Sequence, residues 1–340
     1  MNLRTIAGLV LIYAALIVLP HVLSFSLREV AVFLILNVLL VTSYRLLTLT
    51  GEFSLAHVVL MGVGSYASAL LARDLGVPVP AAILLGALTA AAVAFVLSFP
   101  LFRMKGFYFL IGSFAAGEVI RLIWKKFTVP FGGSQGLNLV PTFPDIAIGE
   151  VSISFFDPVN YFYLCLIVVS VALAVLYRIE RSRIGLIFHA IHWQDTLAAS
   201  VGIDTWRYRT LAFVVASFFA GLTGGLTVHY LGTLNPNQFE VTHMVFVLIW
   251  VIVGGVTRFY GPILGVVILT IINEVVLRSL GLEAMRPLFY GAILIATMLF
   301  LPQGLVSLLP KLRELVAARR IKPSGADKAS KQAYDQAAPS

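Results

Sequence analysis

Long apolar runs alternate with short polar connectors along almost the whole chain, from residue 5 to residue 306. A helix needs about 20 mainly apolar residues to cross the hydrocarbon core of a bilayer, and most of these runs have that length. The pattern therefore predicts an all-α fold, a polytopic bundle of membrane helices. The ten predicted spans are 5–23, 30–48, 54–72, 80–101, 107–124, 158–178, 211–231, 243–257, 260–280 and 287–306. Segment 243–257 is short and ends at Gly254-Gly255, which is typical of a broken or re-entrant helix.

Composition points to the same class. The chain is 59% hydrophobic and only 12% charged, whereas soluble domains are about 45–50% apolar and about 25% charged. No break in composition divides the apolar runs, so we expect one transmembrane domain over residues 1–310. A basic tail over 311–340 should begin as an amphipathic surface helix and end disordered. The single cysteine, Cys165, excludes an intramolecular disulfide and a cysteine-based metal site.

The basic residues predict the orientation of the chain. If both termini are cytoplasmic, 17 of the 24 Lys and Arg residues fall on the cytoplasmic side, which agrees with the positive-inside rule. The connector at about 179–210 is then cytoplasmic, and the glycine- and proline-containing loop at about 125–157 is outside. The net charge of +8 is spread between spans rather than along one stripe, so it does not indicate nucleic-acid binding.

The cytoplasmic connector is far longer than a turn between two spans requires. Within "RSRIGLIFHAIHWQDTLAASVGID", apolar residues recur at helical spacing, are interrupted at 192–195, and then resume. Asp195 is placed to cap the second segment and Gly202 to end it. Two short helices with exposed apolar faces, Ala198 included, suit docking into a groove on another protein. The alternative is an interfacial helix lying on membrane lipid.

Signatures of catalysis are missing from the sequence. It contains no GxxxxGK[ST] phosphate loop, no HExxH and no GxSxG. We therefore expect a chain that is not an enzyme, holds no metal and binds no cofactor of its own. If ATP drives its activity, a separate subunit must bind the ATP.

Polar and small residues inside the spans are candidates for a translocation path. A charge in hydrocarbon costs several kcal/mol unless it is paired or hydrated, so Glu118 belongs either to such a path or to a structural pair with Arg121. Glu274 and Arg278 are better explained as a structural pair. The remaining candidates either pack helices together or line the path; they are Ser54, His57, Gly64, Gly254 and Gly255. Among the glycines, the Gly254-Gly255 pair is the strongest candidate, because unwound glycines expose backbone groups to a substrate.

Several motifs in order resemble the branched-chain amino acid ABC permease family, in particular its LivM-type subunit. They are "GEFSLAHVVLMGVGSYASALL" (51–71), "RMKGFYFLIGSFAAGEVIRLIW" (103–124), "GGSQGL" (132–137), the connector followed by "TWRYRTLAFVVASFFAGLTGGL" (205–226), "GGVTRFYGPILG" (254–265) and "LFLPQGL" (299–305). Glu52 stands where the family usually has Gln, and His192-Trp193-Gln194 replaces a more charged run. These departures bear on the substrate more than on the fold.

The resemblance implies a transport role and a set of partners. The connector would be the loop that couples the permease to an ATPase, with coupling residues Arg183, Gly185, Ala190, Asp195, Ala198, Ala199 and Gly202. Partners would be a sister permease, two ATP-binding subunits and a periplasmic binding protein, in a bacterial inner membrane. The cargo would be branched-chain amino acids or related small amides and carboxylates. An ion- or proton-coupled carrier using Glu118 and His57 is the alternative, and a multipass membrane enzyme is disfavoured.

Overall fold

The computed structural model describes residues 3–148, 151–301 and 303–307. The basic tail predicted over 311–340 lies outside the described residues. The described helices are α1 (Leu3–Val22), α2 (Phe25–Thr48), α3 (His57–Asp74), α4 (Val79–Leu101), α5 (Phe107–Lys126), α6 (Pro158–Arg181), α7 (Arg183–Trp193), α8 (Asp195–Ser200), α9 (Thr205–Leu231), α10 (Val241–Gly254), α11 (Gly261–Ile271) and α12 (Arg286–Phe300).

The all-α membrane bundle is confirmed. Each of the ten predicted spans coincides with a helix, and α7 and α8 occupy the connector. Five helices, namely α2, α4, α5, α6 and α9, are long and apolar enough to cross a membrane. Shorter apolar helices include α10 and α12. The chain is therefore built as a multi-pass membrane protein.

Several helix ends and one loop differ from the sequence prediction; α2, for example, begins at Phe25 rather than at 30, and α12 ends at Phe300 rather than at 306. Helix α9 begins at Thr205 rather than at 211, because the Asp204 side chain accepts a hydrogen bond from the backbone N–H of Arg207 at 3.1 Å and caps the helix. The loop after α5 contains a small antiparallel hairpin, with β1 (Ile146–Ile148) paired to β2 (Val151–Ile153). The apolar spans dominate the sequence pattern, so a three-residue strand leaves no signal of its own.

Helices α10 and α11 form a short hairpin. With 14 residues, α10 is about 21 Å long and does not reach across a hydrocarbon core of about 30 Å. It ends at Gly254, as the sequence predicts for a broken segment, and the chain reverses before α11 starts at Gly261. A π-helical turn, Ile272–Leu277, continues α11.

Backbone-to-backbone contact holds α3, α4 and α9 together at the centre of the fold. A Cβ atom added to Gly64 would lie 2.3 Å from the Cα of Gly221, and one added to Gly86 would lie 2.5 Å from the carbonyl oxygen of Gly64. A Cβ on Gly224 would meet the carbonyl oxygen of Met61 at 2.1 Å. Only glycine allows such an approach, which is the usual way for membrane helices to pack closely.

Candidate functional site

The connector folds into two helices joined to α6 by a tight turn. Ser182 caps α7 by accepting a hydrogen bond from the N–H of Ile184 at 3.2 Å. A Cβ atom on Gly185 would lie 1.9 Å from the carbonyl oxygen of Glu180. Glycine at 185 therefore lets α7 start directly against the last turn of α6, and the direction of α7 is tied to the end of a long apolar helix.

The two connector helices expose some apolar side chains and bury others. Phe188 and Ile191 are buried against the chain. The exposed side chains, which we call the docking face, are Leu186, Trp193, Leu197 and Val201, between 59% and 81% accessible. An exposed apolar patch of this kind marks a contact with a protein or a membrane.

Ala198 does not lie on the docking face. It is 4% exposed, so the expectation that its side chain points into a partner's groove is wrong. The helical spacing groups Ala198 with Leu197 and Val201, but the chain's own bundle covers the side of α8 on which Ala198 lies. Arg183, Ala190 and Ala199 are exposed.

Asp195 and Gly202 were predicted to define the ends of α8. The capping role of Asp195 is wrong, because Asp195 is the first helical residue and makes no capping hydrogen bond. Its carboxylate instead accepts a hydrogen bond from Lys105 Nζ at 2.6 Å. The role of Gly202 is confirmed: it has φ +87°, and the N–H of Ile203 returns to the carbonyl of Ala198 at 3.1 Å, which is the hydrogen bond of a Schellman motif.

An ionic cluster joins α8 to the body of the protein. Arg209, 9% exposed at its side chain, lies 3.5 Å from both Asp195 Oδ2 and Glu52 Oε1. Burial raises the pKa of Glu52 even though Arg209 is close. Burial also acts to raise the pKa of Asp195, but the hydrogen bond from Lys105 and the charge of Arg209 outweigh it and hold that pKa below its ordinary value.

A second ionic contact reaches from the start of the connector into the interior. Arg45, 1% exposed, forms a bidentate pair with Glu180, in which Nη2 lies 3.0 Å from Oε1. Its Nε donates to the carbonyl of Val256 at 3.1 Å, and its guanidinium lies 6.0 Å from the ring centroid of Phe259. Arg45 therefore connects α2, the end of α6 and the turn between α10 and α11. Sequence reasoning missed this link, although a lone arginine inside an apolar run was its signal.

The Gly254-Gly255 pair lies at a close contact. A Cβ on Gly254 would be 2.2 Å from the carbonyl oxygen of Gly261. Gly255 has φ +99°, and a Cβ there would be 2.4 Å from the carbonyl oxygen of Gln303. These glycines let α10, α11 and the segment near Gln303 approach one another. A role in the path stays a prediction for both.

Ser54, His57 and Gly64 are all buried in packing contacts. The hydroxyl of Ser54 accepts from the N–H of Ala56 at 3.1 Å. His57 Nε2 is 3.1 Å from the hydroxyl of Ser43, and its Nδ1 has no hydrogen-bond partner, so a role of His57 in the path stays a prediction. Gly64 lies at the contact with α9 already described. Ser54 and His57 lie close together at the start of α3.

Glu118 lies in a cluster of charges with residues from two helices. Arg121 Nε donates to Glu118 Oε2 at 2.9 Å, which confirms the predicted pair. Arg121 Nη1 also lies 3.4 Å from Glu240, just before α10. The second predicted pair is present too, with Arg278 Nη1 at 2.8 Å from Glu274 Oε2. Among the described residues, no group of three or more His, Cys, Asp or Glu is placed to hold a metal ion.

Comparison with known proteins identifies relatives. The family described as branched-chain amino acid transport system / permease component matches residues 26–298. The high-affinity branched-chain amino acid transport system permease protein LivM of Salmonella typhimurium strain LT2 is 29% identical over 277 residues, which cover 76% of this chain and 64% of the relative. LivM of Escherichia coli strain K12 is 28% identical with the same coverage. The chain thus spans less than two thirds of the length of these relatives, and no solved structure matches it.

Proposed function

Because the chain belongs to the permease family of branched-chain amino acid transport systems, we propose that it is the membrane permease subunit of an ATP-driven importer. The cargo is a branched-chain amino acid or a related small amino acid, amide or carboxylate, moved across a bacterial inner membrane. The family match over residues 26–298 carries this proposal. The chain acts as a transport subunit rather than as an enzyme.

The connector supports an ATP-driven mechanism. The docking face, with Trp193 81% exposed and Leu197 59% exposed, offers an apolar surface to a cytoplasmic ATP-binding subunit. A movement of α7 displaces the end of α6, because Gly185 lies directly against the backbone of Glu180. The ion pair between Glu180 and Arg45 then carries Arg45 along. Arg45 in turn holds the turn that follows Gly254 and Gly255. ATP-driven closure of the partner thereby reaches the α10–α11 hairpin.

Membership of the permease family supports the remaining partners. A sister permease completes the membrane unit, two ATP-binding subunits dock on the cytoplasmic side, and a periplasmic binding protein delivers cargo to the outside loop. Both termini are cytoplasmic, as the distribution of Lys and Arg favours. The chain binds no cofactor of its own, since ATP binds to the partner subunits.

Reconstitution in liposomes tests the proposal. The chain alone is expected to transport nothing, whereas the chain with a sister permease, two ATP-binding subunits and a binding protein should show ATP-dependent uptake. Binding of amino acids, amides and aromatic acids to the cognate binding protein would define the cargo. Accumulation by the chain alone, driven by a proton or sodium gradient, would refute the proposal and favour a secondary carrier that uses Glu118 and His57.

A further inference from the structure

A polar cavity lies between the first half of α2, helix α10, the end of α11 and the start of α12. Its volume is about 440 Å³, and its polar lining includes Asn37, Glu240, His243, Asn273, Glu274 and Arg286. Of these six residues, only Glu274 has a role predicted from the sequence, as the ion-pair partner of Arg278. A volume of this size is within the range of small-molecule binding sites.

A second, mainly apolar chamber of about 290 Å³ adjoins the first. Its lining includes Leu36, Met61, Val228, Leu231 and Phe239, from α2, α3, α9 and the segment before α10. Phe33, Asn37 and His243 line both chambers. The two chambers therefore share a wall of residues, with charged groups on one side and hydrocarbon on the other.

Three buried polar atoms of residues that line the first chamber have no hydrogen-bond partner, namely Asn273 Oδ1, Arg286 Nε and Trp250 Nε1. Asn273 is only 6% exposed; its Nδ2 donates to Glu274 Oε1 at 2.9 Å, but its Oδ1 has no hydrogen-bond partner. The Nε of Arg286 also has none, and no ion pair to Arg286 is found among the described side chains. Buried polar groups are almost always hydrogen-bonded. The residues lining the chamber thus present one unmet acceptor, one unmet cationic donor and one unmet neutral donor.

The backbone at this place is irregular. Asn273 and Glu274 belong to the π-helical turn Ile272–Leu277. A π-turn inserts an extra residue into a helical turn and occurs frequently at functional sites. It brings an amide and a carboxylate from successive positions to the lining of one chamber.

We propose that the two chambers together bind a zwitterionic α-amino acid with an apolar side chain. The carboxylate of Glu274 and Oδ1 of Asn273 accept hydrogen bonds from the ligand's ammonium group, and Arg286 binds its carboxylate. The aliphatic side chain enters the apolar chamber beside Met61 and Phe239. This inference rests on the proposed transport function and narrows it, because simple carboxylates and amines would leave half of the polar groups unmet.

Protection of an engineered cysteine tests the site on the full-length chain, purified in mild detergent with whatever subunits accompany it. The only native cysteine, Cys165, is buried. Thr242→Cys places an exposed thiol in the cavity lining, and Thr128→Cys places one on the loop after α5 as the control. Reaction with a maleimide is measured alone and in the presence of leucine, of isocaproate, which lacks the ammonium group, and of isoamylamine, which lacks the carboxylate.

Leucine should slow labelling of the cysteine at 242 but not of that at 128, and neither analogue should match it. Arg286→Gln should raise the half-protecting leucine concentration about tenfold, since one charge-assisted hydrogen bond is lost. Arg73→Gln, on the exposed end of α3, is the matched control and should leave protection unchanged. Equal protection by isocaproate, protection at both cysteines, or full protection in the Arg286→Gln variant would overturn the inference. ATP-dependent uptake without protection would refute this site alone, whereas protection without uptake would refute only the proposed importer.

Discussion

Replacing Glu180 with Leu should destabilise the protein more than any change at an exposed ion pair. The substitution leaves the guanidinium of Arg45, which is 1% exposed, without a counter-ion in the interior. Removing one partner of a buried ion pair typically costs about 3–5 kcal/mol. Arg45 keeps its hydrogen bond to Val256 and its position near the Phe259 ring, so we expect a loss near the lower end, about 3 kcal/mol.

A double-mutant cycle isolates the contribution of this pair. Arg45→Met combined with Glu180→Leu removes both charges and fills similar volume, and it should cost clearly less than Glu180→Leu alone, because no charge is left uncompensated. Unfolding in mixtures of mild and denaturing detergent, followed by loss of helical signal, measures each free energy. Asp74→Leu, which breaks the exposed pair with Arg73, is the control and should change stability by less than about 1 kcal/mol.

Two results of the double-mutant cycle would contradict the dependence of Arg45 on Glu180. If Glu180→Leu and the double variant lose the same free energy, Arg45 does not depend on Glu180, and the described path from connector to hairpin is broken at that point. If Glu180→Leu costs no more than Asp74→Leu, the charge of Arg45 is satisfied by water rather than by the carboxylate.

Three further predictions concern other parts of the chain. Gly254→Leu should suppress uptake while the subunits still assemble, because a Cβ at this position meets the carbonyl oxygen of Gly261 at 2.2 Å. Gly291→Leu is the control and should retain uptake, because the space around its Cβ position is open. Normal uptake by the Gly254→Leu variant would contradict this prediction. Leu197→Asp should abolish co-purification of the ATP-binding subunit, whereas the same change at Leu75, which is 72% exposed against 59% for Leu197, should not. Retention of the ATP-binding subunit in both variants would favour contact of the connector with lipid. Burial raises the pKa of Glu52 in the folded protein, so protonation of Glu52 stabilises the fold fully below the ordinary Glu pKa, and this stabilisation is lost as pH rises through the higher folded pKa. Across that pH range the melting temperature should fall less for Glu52→Gln than for the unmodified protein. Parallel curves for the two proteins would refute the assignment to Glu52.

Much of the fold could be predicted because the bilayer imposes a length on every span. The apolar runs located the helices that correspond to the ten predicted spans, and Gly254 marked the end of α10. The pairs of Glu118 with Arg121 and of Glu274 with Arg278 followed from helical spacing. These features are local, so the sequence alone contains their cause.

The errors and omissions arise from contacts between distant segments. Arg45 and Glu180 are 135 positions apart, and no local pattern pairs them. The orientation of Ala198 depends on which side of α8 the bundle covers, which an amphipathic pattern does not specify. The cavity around Asn273 is formed by four separate helices, and the π-turn that shapes it leaves no sequence signature.

The glycine contacts among α3, α4 and α9 also determine which parts of the molecule are free to move. Rotating α9 by one residue position, about 100°, would drive a side chain into the backbone where Gly221 now meets Gly64. Sliding it by one turn would do the same beside Met61. We therefore expect these three helices to keep their positions relative to one another, while the α10–α12 segment, which Arg45 joins to α2 through its hydrogen bond to Val256, moves during the proposed transport cycle. Spin labels on α3 and α9 should keep a constant separation through the transport cycle, while labels on α4 and α12 change theirs.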